Sequence, residues 1–271
     1  MSASDWLGDP FLVCGRSPSP MSYEISSAII PRIRHTNCDV IVRDPKGLPM
    51  RTLLVLFTSI ISIAAWAGAL DDAKTLGAPM ESVERAIQLS RGKEFSRKDI
   101  LAVFDISLPS GNRRFFLIDL KNDRTSAHYA AHGKSNGNNL RATKFRGFRS
   151  DHDMVPLGPL RTAAADAPIT SHYRTIADKY TGQVWNGLIS ARLEGVASYN
   201  SYINSVPGVV WVIHPNWYVS AGYRKNNPGM LGRSLGCITL DPDVNNAIVD
   251  RLGNGALIYV TVGNDPVERY L

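Results

Sequence analysis

The chain lacks most of the residue patterns by which ligand-binding classes are recognised. It has three cysteines and six histidines in 271 residues, and His128, His132, His152 and His172 are scattered without the short spacing of a zinc site. No glycine-rich nucleotide-binding motif is present. The formal charge is +6, yet Lys and Arg are spread along the sequence without a long basic run. We therefore expect no metal, no cofactor and no nucleic-acid partner.

Apolar residues, by contrast, are plentiful. Hydrophobic residues make up 44% of the chain and charged residues 20%, which is ordinary for a protein that folds around a core. A domain typically uses about 100–200 residues. The length therefore predicts one domain plus some sequence outside it.

An export signal is predicted inside the chain. From Met50 the sequence runs MRTLLVLFTSIISIAAWAGAL, with a positive Arg51, an apolar stretch over 53–65 and the small-x-small sequence AWA at 65–67. The apolar stretch is shorter than the roughly 20 residues of a transmembrane helix, so an uncleaved anchor is the second interpretation. We expect cleavage after Ala67, no stable membrane anchor afterwards, and a location in the periplasm or cell envelope.

The position of this signal divides the chain. A signal peptide is read only at an N-terminus, yet 49 residues precede this one. Either the start codon is assigned too early, or these residues are a cytoplasmic tail. The predicted division is a mis-annotated extension at 1–49, a signal peptide at 50–67, a helical segment at 68–94 and the main domain at 95–271.

Cleavage would leave one cysteine. Cys14 and Cys38 lie in the extension, so the exported chain keeps only Cys237. A lone thiol in an oxidising compartment is either an inert core residue or a nucleophile. The residues around Cys237 bear on that choice.

The main domain is predicted to be mainly β with a few short helices. Runs of β-prone residues lie at 100–106, 113–120, 125–131, 208–214 and 256–262. Amphipathic helices are predicted at 79–91 and 242–252, the second with an Asp-Pro start and a Gly stop. The stretch 132–204 is rich in Gly, Asn, Ser and Pro, with one strand predicted at 187–193. Long irregular segments of this kind usually form functional loops.

A histidine and a cysteine stand out near the C-terminal end. His214 ends the run GVVWVIH, and Cys237 follows Gly236 in GRSLGC. A thiol of pKa about 8.5 is mostly protonated at neutral pH, and a nearby imidazole can take its proton to form the nucleophilic thiolate. Gly236 has no side chain, so backbone N–H groups can approach an oxyanion there. On spacing alone, a core histidine and a core cysteine are equally good interpretations.

Several segments in one order resemble the murein L,D-transpeptidase catalytic domain-like branch of the YkuD-like superfamily. They are FDIS, PSGNRRFFLIDL, AAHGKSNG, ATKF, PLGPLRT and GRSLGC, which together cover roughly residues 95–262. SLGC resembles the family signature S-H-G-C, and His214 matches the upstream histidine. The resemblance implies a β-sandwich catalytic domain that acts on peptidoglycan stem peptides. Its thiolate would release D-alanine from a tetrapeptide stem, and the resulting thioester would pass to an acceptor amine.

Three positions near the pair depart from the superfamily. Pro215 stands where Gly is common, Leu235 replaces the signature histidine, and Thr239 stands where Arg or Asn is usual. If water replaces the acceptor amine, the same residues make an L,D-carboxypeptidase, and attachment of a protein to the wall is a third outcome. A non-catalytic wall-binding module is the alternative from a different class.

Four further residues are predicted to bind substrate. Arg233 either holds a stem-peptide carboxylate through its bidentate fork or is a solvated loop charge. Tyr218 either faces the groove or packs, and Ser234 orients the loop. His132, in a glycine-containing turn, is either a substrate contact or a structural hydrogen-bonding residue.

Overall fold

The computed structural model describes residues 66–145, 153–163 and 174–271. The predicted extension at 1–49 lies outside the described residues, as does the predicted signal peptide except for residues 66–67. Within the described part of the chain, no helix combines the length and the apolar character needed to cross a membrane.

Eight of the ten strands in the described residues form one closed barrel. The strands are β1 Ile100–Asp105, β2 Arg113–Asp119, β3 Arg124–Ala131, β4 Gly158–Ala163, β5 Thr175–Ala177, β6 Val184–Asn186, β7 Ala191–Gly195, β8 Val212–Pro215, β9 Ile238–Leu240 and β10 Leu257–Thr261. Around the barrel the order is β1-β10-β4-β7-β8-β9-β3-β2, and β5 and β6 form a separate hairpin. The predicted mainly β class with few short helices is confirmed. The sheet expected to form a sandwich closes on itself.

β1 and β10 are two neighbouring strands of the barrel that are buried along their whole length. They pair in parallel, from Leu101 with Leu257 to Asp105 with Thr261, and every residue of both strands is buried. Continuous burial of this kind is typical of strands covered on both faces. Helix α2, Met80–Ser90, packs against both strands. Its buried residues have the helical spacing that the sequence predicts.

Helix α1, Ala67–Thr75, precedes α2 and packs against β2 and β3. The N–H groups of Gly68 and Ala69 donate to the Asp123 carboxylate at 3.1 and 2.7 Å. Asp123 lies in the turn between β2 and β3 and has a φ of 52°, a conformation that Asp tolerates better than most residues. This carboxylate therefore satisfies the first turn of α1.

Two helices flank the ends of β8 and β9. Helix α3, Ala221–Asn226, begins at Ser220, whose hydroxyl accepts from the Tyr223 N–H at 3.0 Å. Helix α4, Pro242–Leu252, begins at Asp241, which accepts from the Asp243 N–H at 3.1 Å. The predicted Asp-Pro start and Gly stop of α4 are confirmed.

The stretch predicted to be irregular holds more structure than expected. Within 132–204 the described residues include β4, β5, β6 and β7, so that prediction is wrong in part. The strand predicted at 187–193 begins only at Ala191. Before it, the Ile189 N–H donates to Asn246 Oδ1 at 3.1 Å and the Ile189 carbonyl accepts from Asn245 Nδ2 at 2.8 Å. Side chains of α4 thus take the hydrogen bonds that a neighbouring strand would have used.

Candidate active site

The predicted histidine and cysteine lie on or directly beside two adjacent parallel strands. In the register of β8 and β9, His214 lies opposite Thr239. Cys237 directly precedes β9 and is two residues before Thr239. Both His214 and Cys237 are buried, each 2% exposed. Cys237 is therefore two residues along the chain from the residue that pairs with His214.

The hydrogen bonds of His214 define its tautomer. Nδ1 lies 2.9 Å from the Pro215 carbonyl oxygen, and Nε2 lies 3.2 Å from Thr239 Oγ1. A carbonyl can only accept, so Nδ1 carries the proton and Nε2 keeps its lone pair. Burial lowers the pKa of His214 to about 4, against a raising effect of the Pro215 carbonyl. The ring is therefore neutral at pH 7 and can accept a proton at Nε2.

Cys237 lies at the entrance to β9. Its Sγ is 4.0 Å from the Val210 carbonyl oxygen, just upstream of β8, and it forms no disulfide with any residue that the structure describes. The thiol therefore contacts the backbone of the segment that leads into β8, the strand that carries the histidine. Its burial keeps it away from bulk water.

The loop before Cys237 is tied down by its own backbone. Gly236 has a φ of 95°, in the region that a side chain would strain. Ser234 Oγ donates to the Cys237 carbonyl at 2.6 Å. Ser234 also donates through its N–H to the His132 carbonyl at 3.0 Å and accepts from the Lys134 N–H at 2.8 Å. These contacts fix the position of Ser234 in the loop, and its orienting role stays a prediction.

A buried arginine and His132 connect to this loop through hydrogen bonds. Arg114 is fully buried and donates to the Leu108 and Ala130 carbonyls, each at 3.0 Å, and Arg114 Nη2 lies 2.7 Å from His132 Nδ1. Because a guanidinium can only donate, His132 Nδ1 accepts and Nε2 carries the proton. The His132 carbonyl is the acceptor for Ser234. A guanidinium–imidazole pair, Arg114 and His132, therefore connects the barrel core to the loop.

Burial shapes the charge of both members of this pair. It lowers the pKa of Arg114 to about 9, against the raising effect of Asp105. Burial, followed by the nearby guanidinium of Arg114, lowers the pKa of His132 to about 3. His132 is thus neutral, and its buried Nε2 makes no hydrogen bond of good geometry. The structure brings His132 behind the Cys237 loop, and the prediction that it binds substrate stays a prediction.

Arg233 and Tyr218 flank the loop on its exposed side. Arg233 is exposed and its Nη1 donates to the Lys134 and Gly137 carbonyls at 3.2 and 2.6 Å. Tyr218 is partly buried, and its hydroxyl lies 3.1 Å from Thr239 Oγ1. Gly232 lies against the Tyr218 side chain, where a Cβ would come within 2.5 Å of it. Both residues therefore contact the segments around Cys237, and the prediction that they bind substrate stays a prediction.

Comparison with known families decides which family this arrangement belongs to. A model of the L,D-transpeptidase catalytic domain matches residues 78–261, well over half of the chain. The chain belongs to the L,D-transpeptidase catalytic domain family. The family resemblance inferred from the sequence motifs is thereby confirmed, and the family acts on peptidoglycan peptides.

Solved structures of L,D-transpeptidases are similar to the chain at low identity. L,D-transpeptidase 1 of Mycobacterium tuberculosis is 17% identical, with a TM-score of 0.30, 60% of this chain and 61% of that chain covered. An L,D-transpeptidase of Mycobacterium smegmatis is 19% identical, with a TM-score of 0.31 and coverages of 60% and 58%. One from Xylanimonas cellulosilytica is 13% identical, with a TM-score of 0.31 and coverages of 60% and 60%. The chain thus spans less than two thirds of these proteins, and no curated protein sequence matches it significantly.

Sequence reasoning missed two residues of this L,D-transpeptidase-family site. Thr239 entered only as a departure from the family pattern, yet it lies opposite His214 and bonds to it. Arg114 was not considered, although it is fully buried beneath the loop. Among the described residues, no group of three His, Cys, Asp or Glu side chains is arranged to hold a metal ion.

Proposed function

We propose that the chain is a cysteine-dependent acyltransferase of the bacterial cell wall, an L,D-transpeptidase with Cys237 as nucleophile and His214 as base. The observation that supports the proposal is the strand register, because a neutral buried imidazole lies opposite Thr239, two residues after the thiol, in a chain that matches the family. A neutral imidazole with its lone pair at Nε2 is the form a general base needs.

The proposed reaction has two steps. His214 Nε2 takes the proton of the Cys237 thiol, and the thiolate attacks the carbonyl carbon of the peptide bond before the terminal D-alanine of a tetrapeptide stem. The C–N bond breaks, the imidazolium returns its proton to the leaving amine, and D-alanine departs from a thioester. An acceptor amine then attacks the thioester and restores the thiol. Backbone N–H groups around Gly236 are proposed to stabilise the oxyanion formed in each attack.

Substrate contacts are proposed for the residues around the loop. A guanidinium carries five N–H donors, and Arg233 uses Nη1 for two loop carbonyls. We propose that its other donors hold a carboxylate of the stem peptide. Tyr218, Ser234 and His132 are proposed to shape the loop on which the stem lies.

Export is the second part of the proposal. Cleavage after Ala67 would leave Gly68 as the first residue, and Gly68 N lies 3.1 Å from the Asp123 carboxylate. The new α-ammonium would therefore meet a carboxylate, although the contact between Trp66 and the Arg91 guanidinium would be lost. The mass of the protein recovered from the periplasm tests this. A chain that starts at Gly68 supports the proposal, and a chain that still contains Met50 contradicts it.

The first experiment is incubation of the protein with disaccharide-tetrapeptides, with products identified by mass spectrometry. We expect crosslinked dimers and free D-alanine. Cys237→Ala should abolish both, and His214→Gln should lower the yield by about 10²–10⁴, the usual contribution of a general base. His128→Gln is the matched control, because His128 bonds to Ser126 on β3, away from the pair, and it should leave the yield unchanged.

The same experiment separates the alternatives. Tripeptide without crosslinked dimer would identify an L,D-carboxypeptidase, in which water resolves the thioester. Retention of the substrate by folded protein without any product would identify a non-catalytic wall-binding module. Products that persist in Cys237→Ala would contradict the assignment of the nucleophile.

A further inference from the structure

A chain of two hydroxyl groups ends on the proposed base. Thr239 is fully buried on β9 and lies directly opposite His214 on β8. Its Oγ1 is 3.2 Å from His214 Nε2 and 3.1 Å from the Tyr218 hydroxyl. Tyr218 belongs to a short 3-10 turn, Trp217–Val219, that follows β8. His214 and Tyr218, the two ends of this hydroxyl chain, are therefore carried by β8 and by the turn that follows it.

The direction of the hydrogen bonds follows from the tautomer of the imidazole. Nδ1 donates to the Pro215 carbonyl, so Nε2 of the neutral ring can only accept. The Thr239 hydroxyl must then donate to Nε2, and its oxygen is left to accept from the Tyr218 hydroxyl. In the resting protein the hydroxyl protons all point towards His214.

We infer that Thr239 and Tyr218 are positioning residues that stabilise both protonation states of His214 by reversing this direction. This inference rests on the proposed function. The Thr239 hydroxyl first turns from Nε2 to donate to the Tyr218 oxygen, whose own proton turns away from Thr239, and this leaves the Nε2 lone pair open. When Nε2 then takes the Cys237 proton, the S–H bond breaks, its electron pair stays on sulfur, and an N–H bond forms. Nε2–H then donates to Thr239 Oγ1. No atom is lost or gained, and each hydroxyl exchanges its donor and acceptor roles.

A hydroxyl suits this exchange. Of the two residues usual at this position in the superfamily, arginine has donors and no acceptor, so it could not accept from an imidazolium, and asparagine has its donor and its acceptor on separate atoms. A hydroxyl carries a donor and two lone pairs on one atom. Because the site is buried, each of these hydrogen bonds is stronger than it would be in water. The inference thus gives a function to Thr239, the residue that departs from the superfamily pattern at this position.

Charged groups do not take the place of the Thr239–Tyr218 hydroxyl chain. Arg224 of α3 and Asp241, which begins α4, pair with each other at 2.7 Å, and the Arg224 guanidinium also lies 4.1 Å from the centre of the Tyr129 ring. The pKa of His214 is shifted by burial and by the Pro215 carbonyl. Two hydrogen-bonding partners of the imidazole are the Pro215 carbonyl and the Thr239 hydroxyl of this chain.

The test is the rate at which iodoacetamide alkylates Cys237 between pH 5 and 9, measured by intact mass on the full chain. A hydrogen bond to a charged group is typically worth more than one between neutral groups, so Thr239→Val should lower the alkylation rate at pH 7 by about tenfold and move the profile to higher pH. Thr239→Ser should restore the rate, and Tyr218→Phe should give a smaller loss in the same direction.

A matched control separates positioning from stability. Thr261→Val removes the hydroxyl of another fully buried threonine. Thr261 is the last residue of β10, and its hydroxyl bonds to Ser82 and Gly263. This substitution should destabilise the protein without changing the alkylation profile. If Thr239→Val and Thr261→Val give the same profile as the unmodified chain, the inference is wrong.

A second readout is independent of acyl transfer. In Cys237→Ser protein, the ¹⁵N chemical shifts of His214 report which ring nitrogen carries the proton. The Nδ1–H tautomer should be retained with Thr239 present, and Thr239→Val should reduce the pH at which the ring becomes protonated. An Nε2–H tautomer would overturn the inference even if the protein is an active transpeptidase. If the ¹⁵N chemical shifts are as expected but the protein has neither transpeptidase nor carboxypeptidase activity, only the proposed function is overturned.

Discussion

At the scale of single residues, the loop before the thiol depends on the backbone of Gly236. Its φ of 95° lies where an L side chain costs roughly 1–2 kcal/mol. Gly236→Ala should therefore shift the loop and reduce crosslinked product at least tenfold, while the fold survives. Gly182→Ala is the matched control, because Gly182 has a φ of 71° in the β5–β6 hairpin and a Cβ there would meet nothing within 4 Å. Product yield equal in the two variants, at equal thermal stability, would argue against a role for the loop backbone.

Single residues also show what the sequence can predict. His214 and Cys237 were identified because a thiol and an imidazole carry recognisable chemistry and a family motif surrounds them. Thr239 carries no such mark, since a threonine in a β-prone run is an ordinary strand residue. Only the register of β8 against β9 reveals that it lies opposite His214. Arg114 was hidden for a related reason, because Arg113 precedes it and a bulge between Arg113 and Phe115 determines which of the two points inward.

At the scale of secondary-structure elements, Arg114 joins β2, the end of β3 and the loop after β1. Its removal leaves the Leu108 and Ala130 carbonyls and His132 Nδ1 without their donor. Arg114→Met should lower the free energy of unfolding by about 3 kcal/mol, since each unsatisfied buried group costs roughly 1–3 kcal/mol. Urea unfolding measures this loss. Arg85→Met, which removes an exposed ion pair with Glu268, should cost less than about 1 kcal/mol, and equal losses would contradict the structural role of Arg114.

The elements themselves were predictable where local chemistry determines them. Helices α2 and α4 and strands β1, β2, β3 and β10 follow from periodicity, caps and β-prone runs. The start of β8 was not predictable, because the run from 208 begins with Gly208 at a φ of 72°, which breaks the extended backbone. Short strands such as β5, β6 and β9 have too few residues to show a period.

At the scale of the whole molecule, barrel closure depends on pairs far apart in sequence. β1 joins β10 in parallel, and β3 joins β9 antiparallel. No local pattern specifies such pairs, and alternating burial is equally compatible with an open sandwich and a closed barrel. Closure is also what creates the site. It brings β3, with His132 just beyond its end, against the strand that follows Cys237, and so links the supporting pair to the thiol.

The buried histidines make the stability of the whole molecule depend on pH. The folded-state pKa of His214 and of His128 is lowered to about 4 and that of His132 to about 3, against about 6.5 in the unfolded chain. Well above pH 6.5 all three residues are neutral in both states, so their titration does not affect unfolding. As the pH falls below 6.5, the unfolded chain binds protons that the folded chain refuses, and each histidine costs about 1.4 kcal/mol per pH unit.

We therefore expect the free energy of unfolding to fall by roughly 4–5 kcal/mol between pH 6.5 and 5, with His128 contributing less than the other two because it is only partly buried. Urea unfolding at pH 7, 6 and 5 measures it. Carboxylates with lowered pKa values, such as Asp99 and Asp119, titrate below this window and contribute little within it. His132→Asn should be less stable at pH 7 but lose only about two thirds as much on acidification, because one of the three protons no longer binds. A stability that does not change between pH 7 and 5 would mean that these imidazoles are open to water in solution, and the neutral base on which the proposed chemistry depends would lose its physical cause.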